Sequence, residues 1–477
     1  MKSAYVPWTP RRTILEHRRT TPGPFTVPPP TGLTSPIASA SSPPEPPISR
    51  YQPEKDGDLE EEIADNREVS EEPEPERIRS KIALWDSEER QARAPPPVLT
   101  GMQPFRPSDQ IYVMGLDLVG RYITHALAGC ETIPPVRYLL HSRQLCNKWV
   151  QANGRLTLHR GRDIIVRRGV QAEDITEQAQ YPADDDDIIH NLIVTVPAGQ
   201  VVQALERIRH RLDHRSTICL VNDGLGVAEA LIEAYFPVES RRPIFLLGHF
   251  STHLGHTKAR FSVSEVRQGR LYLTLLSPQA PGPGMPFQIK RHPPLERTAR
   301  ATHLIRLLTA MPGLHATGHP LADFFKRKLP TVAFRSIVDP IAVLLDTTYD
   351  KLPSNPYARQ LMERLLGEVS RVVSSLPELR DSREFRQSVV DSTLRKEVFR
   401  KLMLQRTADS KMRAHTARGW DTDVDFLSGY FIRRGRQLRL NITALDSVMW
   451  AVKAKKLVVQ KKLAAELPMD DAAMMSE

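Results

Sequence analysis

The feature that most constrains the fold is a pair of apolar segments, each followed by a turn of small residues. Residues 187–200 read Asp-Ile-Ile-His-Asn-Leu-Ile-Val-Thr-Val-Pro-Ala-Gly-Gln, and residues 219–226 read Cys-Leu-Val-Asn-Asp-Gly-Leu-Gly. Upstream, residues 115–120 read Gly-Leu-Asp-Leu-Val-Gly and also follow a short apolar run. Strand, tight turn and helix in this order are typical of a doubly wound sheet that binds a dinucleotide. We therefore expect a Rossmann-type domain around these segments.

The first 107 residues differ in composition from the rest of the chain. They contain 20 of its 40 prolines and an acidic run from Asp56 to Glu76, which predicts a disordered tail. The first 22 residues hold one acid, Glu16, and five basic residues, Lys2, Arg11, Arg12, Arg18 and Arg19. Such a leader resembles a mitochondrial transit peptide. A basic disordered arm on a cytoplasmic protein is the alternative.

From residue 110 to residue 247, short apolar strands alternate with helices, which predicts a parallel doubly wound sheet over residues 108–280. Arg260–Glu265 and Arg270–Leu275 are predicted to form an antiparallel pair at its end. A Pro/Gly-rich linker, residues 281–286, separates this domain from residues 295–463, where helical apolar spacing prevails. The predicted fold class is α/β: a Rossmann-type N-terminal domain, an all-helical C-terminal domain and a frayed tail over residues 464–477.

Composition excludes several classes of protein. The three cysteines, Cys130, Cys146 and Cys219, have no metal-binding spacing, so we expect neither a disulfide scaffold nor a metal site. The longest apolar runs are far shorter than the ~20 residues that span a bilayer. The net charge of +10 permits contact with nucleic acid or an anionic surface.

Four stretches, in this order along the chain, resemble the ketopantoate reductases, which reduce 2-dehydropantoate with NADPH. They are the strand and turn of residues 191–200, the Asn-Asp-Gly-Leu-Gly turn of residues 222–226, Ile-Val-Asp-Pro-Ile-Ala-Val-Leu at 337–344, and Asp-Val-Asp-Phe-Leu-Ser-Gly-Tyr at 423–430. The resemblance covers roughly residues 110–455. It implies the reductase fold, an NADPH site and a catalytic lysine.

The resemblance assigns cofactor contacts to the phosphate turn and to the residues after the second strand. Gly115 and Gly120 keep the first and third glycines of the turn, but Asp117 replaces the second. A carboxylate ~4–6 Å from a diphosphate would repel it by several kcal/mol at low effective dielectric. Arg143 follows the second strand, where the family reads the 2′-phosphate, and Pro197 replaces a family lysine. We expect NADPH to bind weakly or not at all.

The resemblance also places the catalytic residues, and most of them have changed. The proton-donating lysine falls on Thr331, with Lys328 three residues earlier on a helix that Pro330 is predicted to begin. The substrate-binding asparagines fall on Arg335 and Asp339, and the turn asparagine falls on Asp223, next to Asn222. The catalytic glutamate becomes Asp423, and the substrate serine falls on Lys411, next to Ser410.

Two functions follow from these changes. One is a protein that has lost the reaction and acts as a mitochondrial scaffold or an RNA-associated protein, with protein or RNA partners bound through a basic surface and the N-terminal tail. The other is an active NADPH-dependent 2-dehydropantoate 2-reductase with a rearranged site, in which Lys328 or Lys411 donates the proton.

Overall fold

The computed structural model describes residues 108–176, 187–276, 295–379 and 393–466. The predicted tail of residues 1–107, the Pro/Gly linker and residues 467–477 lie outside these ranges. No helix within the four ranges has an apolar stretch long enough to cross a membrane.

Eight strands form a large, mainly parallel sheet in the order β12-β11-β8-β7-β6-β1-β2-β5. Pairing is parallel from β8 through to β5, whereas β11 is antiparallel to β8 and parallel to β12. The strands are β1 (Ile111–Met114), β2 (Arg137–Leu140), β5 (Gln171–Asp174), β6 (Asn191–Val194), β7 (Thr217–Leu220), β8 (Ile244–Phe250), β11 (Leu271–Leu275) and β12 (Ala316–Gly318). The predicted doubly wound fold is confirmed.

Helices cover both faces of this sheet and bury their apolar stripes against it. They are α1 (Leu118–Leu127), α2 (Arg143–Gln151), α3 (Val201–Glu206), α4 (Val227–Tyr235) and α5 (Leu295–Thr309). Helix α5 and strand β12 lie beyond the predicted linker, yet Leu304 and Leu308 of α5 pack in the same core as Ile111 and Val113 of β1. Residues 295–318 therefore complete the first domain's sheet and core.

A small sheet, in the order β4-β3-β10-β9, packs against α1. Its strands are β3 (Leu156–Arg160), β4 (Asp163–Arg167), β9 (His253–Gly255) and β10 (Ser262–Arg267). The predicted antiparallel pairing of Arg260–Glu265 with Arg270–Leu275 is wrong. Strand β10 pairs with β3 and β9, whereas β11 pairs with β8 and β12 in the large sheet. Both strands bury apolar residues in the same core, such as Val263 of β10 and Leu271 of β11, but the chain changes sheets at the turn between them.

The remaining helices form the second domain. They are α6 (Leu321–Leu345), α7 (Pro356–Ser375), α8 (Thr393–Leu404), α9 (Lys411–Ala417), α10 (Ser428–Gln437) and α11 (Thr443–Glu466). Strands are absent from the parts of residues 320–466 that the structure describes, which agrees with the predicted helical class. A one-turn 3₁₀ segment, Asp423–Phe426, precedes α10, and α11 includes the first three residues of the predicted frayed tail.

Helix α6 is the centre of this domain and runs without a break through Pro330 and Pro340. The prediction that a helix begins near Pro330 is therefore wrong. Each proline removes one backbone hydrogen bond. However, α7, α8, α9 and α11 all pack on α6, and residues such as Leu329, Val332 and Ile341 are fully buried. Burial of this kind, rather than intrinsic propensity, stabilises a helix with two internal prolines.

Candidate functional site

The turn between β1 and α1 has the tight geometry of a phosphate-binding loop. Gly115 has φ +126°, a conformation that favours glycine, and a Cβ on Gly120 would lie 2.0 Å from the Gly115 carbonyl oxygen. A Cβ on Gly115 would likewise meet Thr195 Oγ1 at 2.3 Å. Both glycines are therefore required by the contact between this turn and the end of β6, whether or not a ligand binds.

The carboxylate of Asp117 occupies the anion-binding end of α1. Asp117 is the N-cap residue, and its Oδ1 accepts hydrogen bonds from Gly120 N at 3.1 Å and from Thr195 Oγ1 at 2.6 Å. Desolvation raises the pKa of this carboxyl, although these hydrogen bonds and the nearby Lys411 partly oppose the rise. The helix N-terminus, which in dinucleotide-binding domains faces the diphosphate, already holds an anion of the protein's own.

A cleft of about 490 Å³ opens beside this turn. Its walls come from the ends of β1, β2 and β6, which is where doubly wound sheets bind nucleotides, and they include Leu139, His141 and Pro197. Arg143 is exposed at the start of α2 and is not among the residues that line the cleft. The cleft has room for a nucleoside, but the residues at its phosphate end do not fit NADPH, because Asp117 takes the donors that a diphosphate would need.

Beyond the cleft, an ion cluster consists of Arg335, Asp223, Asp339 and Asp423. The Arg335 guanidinium lies 2.5 Å from Asp223 Oδ2, 3.1 Å from Asp339 Oδ2 and 3.9 Å from Asp423 Oδ2. Burial alone would lower the pKa of Arg335, but the three carboxylates outweigh it and raise that pKa. Burial alone would raise the pKa of Asp223, but the Arg335 guanidinium holds that pKa well below its usual range. The guanidinium of Arg335 is therefore already paired within the cluster, which contains three carboxylates and one guanidinium group.

Two further contacts fix the carboxylates of the ion cluster. The Tyr349 hydroxyl donates to Asp339 Oδ1, and only 1% of the Asp339 side chain is exposed. Gly199 N donates to Asp423 Oδ1 at 3.0 Å, which connects the turn after β6 to the segment before α10. Because Asp339 and Asp423 already accept these bonds, their oxygens are held in place without a ligand.

Lys328 is buried on α6, with 3% of its surface exposed. Its Nζ donates to the backbone carbonyl oxygens of Asn222 and of Gly248, the latter at 3.2 Å. Burial lowers the pKa of Lys328 to about 8, although Asp223 partly opposes the shift.

Two polar neighbours of Lys328, Asn222 and His249, are partly buried. The amide nitrogen of Asn222 is buried and makes no hydrogen bond within the described part of the chain. Burial also lowers the pKa of the neighbouring His249, to about 3.

Ser410 and Lys411 begin α9 at the edge of the ion cluster. Ser410 is fully buried and accepts from Arg413 N at 3.3 Å as the N-cap of the helix, so its hydroxyl has a structural role. Lys411 is exposed and is close enough to both Asp117 and Asp223 to lower the pKa of each. The structure thus gathers Asn222, Asp223, Lys328, Arg335, Asp339, Ser410, Lys411 and Asp423 around one region and leaves Arg143 apart.

Three residues that complete this arrangement carry no sequence signal that marks them. Thr195 anchors Asp117, Tyr349 anchors Asp339, and His249 lies beside Lys328. In the sequence each is an ordinary residue at the end of a strand or in a loop. Among the described residues, no group of three or more His, Cys, Asp or Glu side chains is arranged to hold a metal ion.

Two family models match this chain. Residues 111–277 match the family described as Ketopantoate reductase PanE/ApbA, and residues 323–456 match Ketopantoate reductase PanE/ApbA C terminal. The chain belongs to the ketopantoate reductase family. The two matches together cover most of the chain after residue 110, and they contain every residue of the ion cluster.

Two relatives of this family member differ in what their names describe. A Schizosaccharomyces pombe protein named "Probable 2-dehydropantoate 2-reductase" is 21% identical over 352 residues, which cover 73% of this chain and 97% of the relative. The Saccharomyces cerevisiae protein named "Cytochrome B translational activator CBS2" is 22% identical over 301 residues, which cover 57% of this chain and 76% of the relative. At this level of identity the relatives of this chain include both a named reductase and a named translational activator.

Solved structures share the fold at low identity. D-mandelate dehydrogenase in complex with NADH and anilino(oxo)acetate has a TM-score of 0.53 and 15% identity, over 74% of this chain and 99% of its own. The PanE/ApbA family ketopantoate reductase of Ralstonia eutropha JMP134 has a TM-score of 0.51 and 15% identity, over the same shares. These likenesses establish the architecture of this chain and nothing about its ligands.

Proposed function

We propose that this ketopantoate reductase family member has lost the reduction of 2-dehydropantoate and acts as a binding protein. The observation that carries the proposal is the ion cluster. Arg335, the one cation in it, is already held by three carboxylates at 2.5, 3.1 and 3.9 Å. An anionic 2-oxo acid entering this region would have to displace at least one of them and would meet the other two. Like charges at such distances repel strongly in a partly buried site.

The family's proton-donating lysine is replaced in the same region. Reduction of a ketone by hydride transfer builds negative charge on oxygen, and a positioned acid must protonate it. Thr331 stands at the family's lysine position and cannot supply that proton. The Lys328 ammonium donates to two backbone carbonyls, and Lys411 is an exposed residue whose charge acts on Asp117 and Asp223. Loss of a general acid alone costs ~10²–10⁴ in rate.

The cofactor site supports the same conclusion. NADPH would supply a hydride if it bound in the cleft, but Asp117 occupies the diphosphate position with a carboxylate bonded to Gly120 N and Thr195 Oγ1. We therefore expect NADPH to bind weakly or not at all.

For the binding role, we propose gene expression in mitochondria with RNA as a partner. The relative named as a translational activator supports the link to RNA. The leader with five basic residues and one acid supports mitochondrial import. A fluorescent reporter fused to residues 1–40 should co-localise with mitochondria. The same fusion with Arg11, Arg12, Arg18 and Arg19 changed to Gln should remain diffuse, and a diffuse signal from both would contradict import.

The test of the lost reaction is direct. NADPH titration followed by nicotinamide fluorescence should show no saturable binding at micromolar protein, and the full chain should not oxidise NADPH when 2-dehydropantoate is added. A bacterial ketopantoate reductase serves as the positive control.

An active reductase with a rearranged site is the second candidate, because the pKa of Lys328, lowered to about 8, would suit a general acid. NADPH oxidation that depends on 2-dehydropantoate and disappears in Lys328→Ala or Lys411→Ala would establish that candidate and identify the acid.

A further inference from the structure

The small sheet carries most of the chain's excess positive charge. Residues 155–170 and 251–270, which contain its strands and their loops, include nine Lys or Arg residues and two acids, Asp163 and Glu265. That is an excess of seven positive charges, compared with +10 for all 477 residues. An excess of seven positive charges makes the small sheet a strongly basic part of the surface.

Only one of these nine cations is neutralised within the protein. Arg160 bonds to the buried Glu265, which also accepts from the Tyr122 hydroxyl of α1. No carboxylate in the described ranges forms an ion pair with the remaining eight, and all of them are exposed. These eight are Arg155, Arg162, Arg167, Arg168, Lys258, Arg260, Arg267 and Arg270.

In the helical domain, several exposed cations form ion pairs with nearby carboxylates. Arg395 pairs with Glu363, Arg400 pairs with Glu397 at 2.7 Å, and Arg436 pairs with Asp446 at 2.7 Å. Exposed cations that lack such partners raise the local potential, which attracts anionic ligands. None of the eight exposed cations of the small sheet has such a partner among the described residues, whereas the helical domain contains both paired cations and unpaired ones such as Lys396 and Arg406.

Strand register brings five of the eight to one end of the sheet. Arg155 precedes β3. The antiparallel strand β4 ends at Arg167, which is opposite Leu156, and Arg168 follows it. Lys258 and Arg260 precede β10, which runs parallel to β3 with Ser262 opposite Thr157. Since neighbouring strands lie ~4.8 Å apart, this five-cation end spans about 10–15 Å.

We propose that the five-cation end of the small sheet binds RNA through its phosphate backbone. A row of unpaired Arg and Lys side chains matches a polymer that carries one negative charge per nucleotide. Base recognition is not expected, because Phe261 is the only Phe, Tyr or Trp in these segments and it is buried, so bases have no aromatic surface on which to stack. This inference rests on the proposed RNA-associated role and assigns it a surface.

RNA fits this end better than a lipid surface does. Interfacial membrane binding generally uses an amphipathic helix that inserts Trp, Phe or Leu side chains below the headgroups. The five cations here are carried by strand ends and loops, and the exposed large apolar residues of the two segments are only Ile164 and Val266. An anionic vesicle is therefore the comparison ligand in the test.

The test measures binding of the full chain to a labelled single-stranded RNA of mixed sequence by fluorescence anisotropy at several salt concentrations. Five phosphate contacts predict a slope of log K against log salt of about −3.5. Changing Arg155, Arg167, Arg168, Lys258 and Arg260 to Gln should raise Kd ~30-fold or more and flatten the slope by about 3. The matched control changes to Gln five exposed residues of the helical domain that form no ion pair with any described residue: Arg359, Arg364, Lys396, Arg406 and Lys461.

Equal loss of RNA affinity in the two five-residue variants would overturn the proposal, since it would show a dependence on net charge alone. Absence of RNA binding by the unmodified chain at low salt would also overturn it. Binding to phosphatidylserine vesicles but not to RNA, abolished by the sheet substitutions, would assign the surface to a membrane instead. None of these outcomes bears on the lost reductase reaction, which the NADPH oxidation assay tests separately.

Discussion

The ion cluster and the small sheet use charge in opposite ways. In the ion cluster, Arg335 is 11% exposed and lies within 4 Å of three carboxylates. In the small sheet, eight exposed cations have no carboxylate partner among the described residues. The first arrangement is complete without a ligand, whereas the second leaves its charges available to one.

The difference supports the proposal that this chain binds RNA through the small sheet. A reductase needs unpaired cations and donors at its substrate and cofactor positions, since these must attract anions and stabilise developing charge. Here both positions contain carboxylates that consume those donors: Asp117 at the phosphate turn, and Asp223, Asp339 and Asp423 around Arg335. Unpaired positive charge is available instead on strand ends and loops of the small sheet, which packs against α1.

The largest expected effect comes from breaking the ion cluster. Arg335→Met should lower the free energy of unfolding by about 3 kcal/mol, because it leaves buried carboxylates without their cation. Urea denaturation measures this loss. Arg395→Met, which removes an exposed pair with Glu363, is the control and should cost less than about 1 kcal/mol. Equal losses of unfolding free energy in the two variants would mean that the ion cluster stabilises the protein no more than an exposed ion pair does.

The second effect concerns the pH dependence that Lys328 gives to stability. Its pKa is about 8 in the folded protein and 10.5 when unfolded, so between these pH values the unfolded chain binds more protons. Stability from this group therefore rises with pH across that window, by up to about 3 kcal/mol.

Lys328→Met removes the titrating group and should abolish this rise. Denaturation of both proteins at pH 7, 9 and 10.5 measures the difference between them, which cancels the contributions of other groups. A difference that stays constant with pH would show that Lys328 titrates at its ordinary value and that its ammonium is better solvated than its burial implies.

A smaller effect is expected at the phosphate turn. Asp117→Asn keeps an oxygen that can accept from Gly120 N and removes the negative charge, so the helix cap is retained. NADPH affinity should increase about tenfold, which corresponds to ~1.4 kcal/mol. Calorimetry measures the change, with Asp350→Asn, a substitution of an exposed residue away from the cleft, as the control. Micromolar binding of NADPH by the unmodified chain would contradict the loss of the cofactor site.

Much of the fold could be predicted because two periodicities are strong in this sequence. Short apolar runs such as Ile111–Met114 indicated buried strands, and apolar spacing of three or four residues indicated helices such as Pro356–Ser375. Pairing across the sheet was harder, since local pattern does not reveal which partner a strand takes. Strand β10 was therefore given to the wrong neighbour, and Pro330 suggested a helix start that tertiary packing overrides.

The sequence motifs predicted which residues belong to the candidate site, but not how these residues contact one another. The four stretches that resemble the family pointed to Asp223, Arg335, Asp339 and Asp423, and the structure brings these four together. Their mutual neutralisation could not be deduced, because it depends on distances between α6, the turn after β7 and the segment before α10. The direction of the Lys328 ammonium, toward two backbone carbonyls, likewise depends on packing that no local pattern encodes.

The smallest expected effect is on the stability of the small sheet. Exposed cations without partners contribute no ion-pair energy, so Arg168→Gln and Lys258→Gln should each change the free energy of unfolding by less than about 0.5 kcal/mol.

The five-residue sheet variant should be slightly more stable than the unmodified chain at about 0.02 M salt, because the substitutions relieve repulsion among the five cations. This gain should vanish at about 0.5 M salt, where the repulsion is screened. Thermal melts at the two salt concentrations measure this, with the five-residue helical-domain variant as the control. Marked destabilisation of the sheet variant would show that these cations hold the sheet together. The contrast with the ion cluster would then fail, because the charges of both regions would serve the fold.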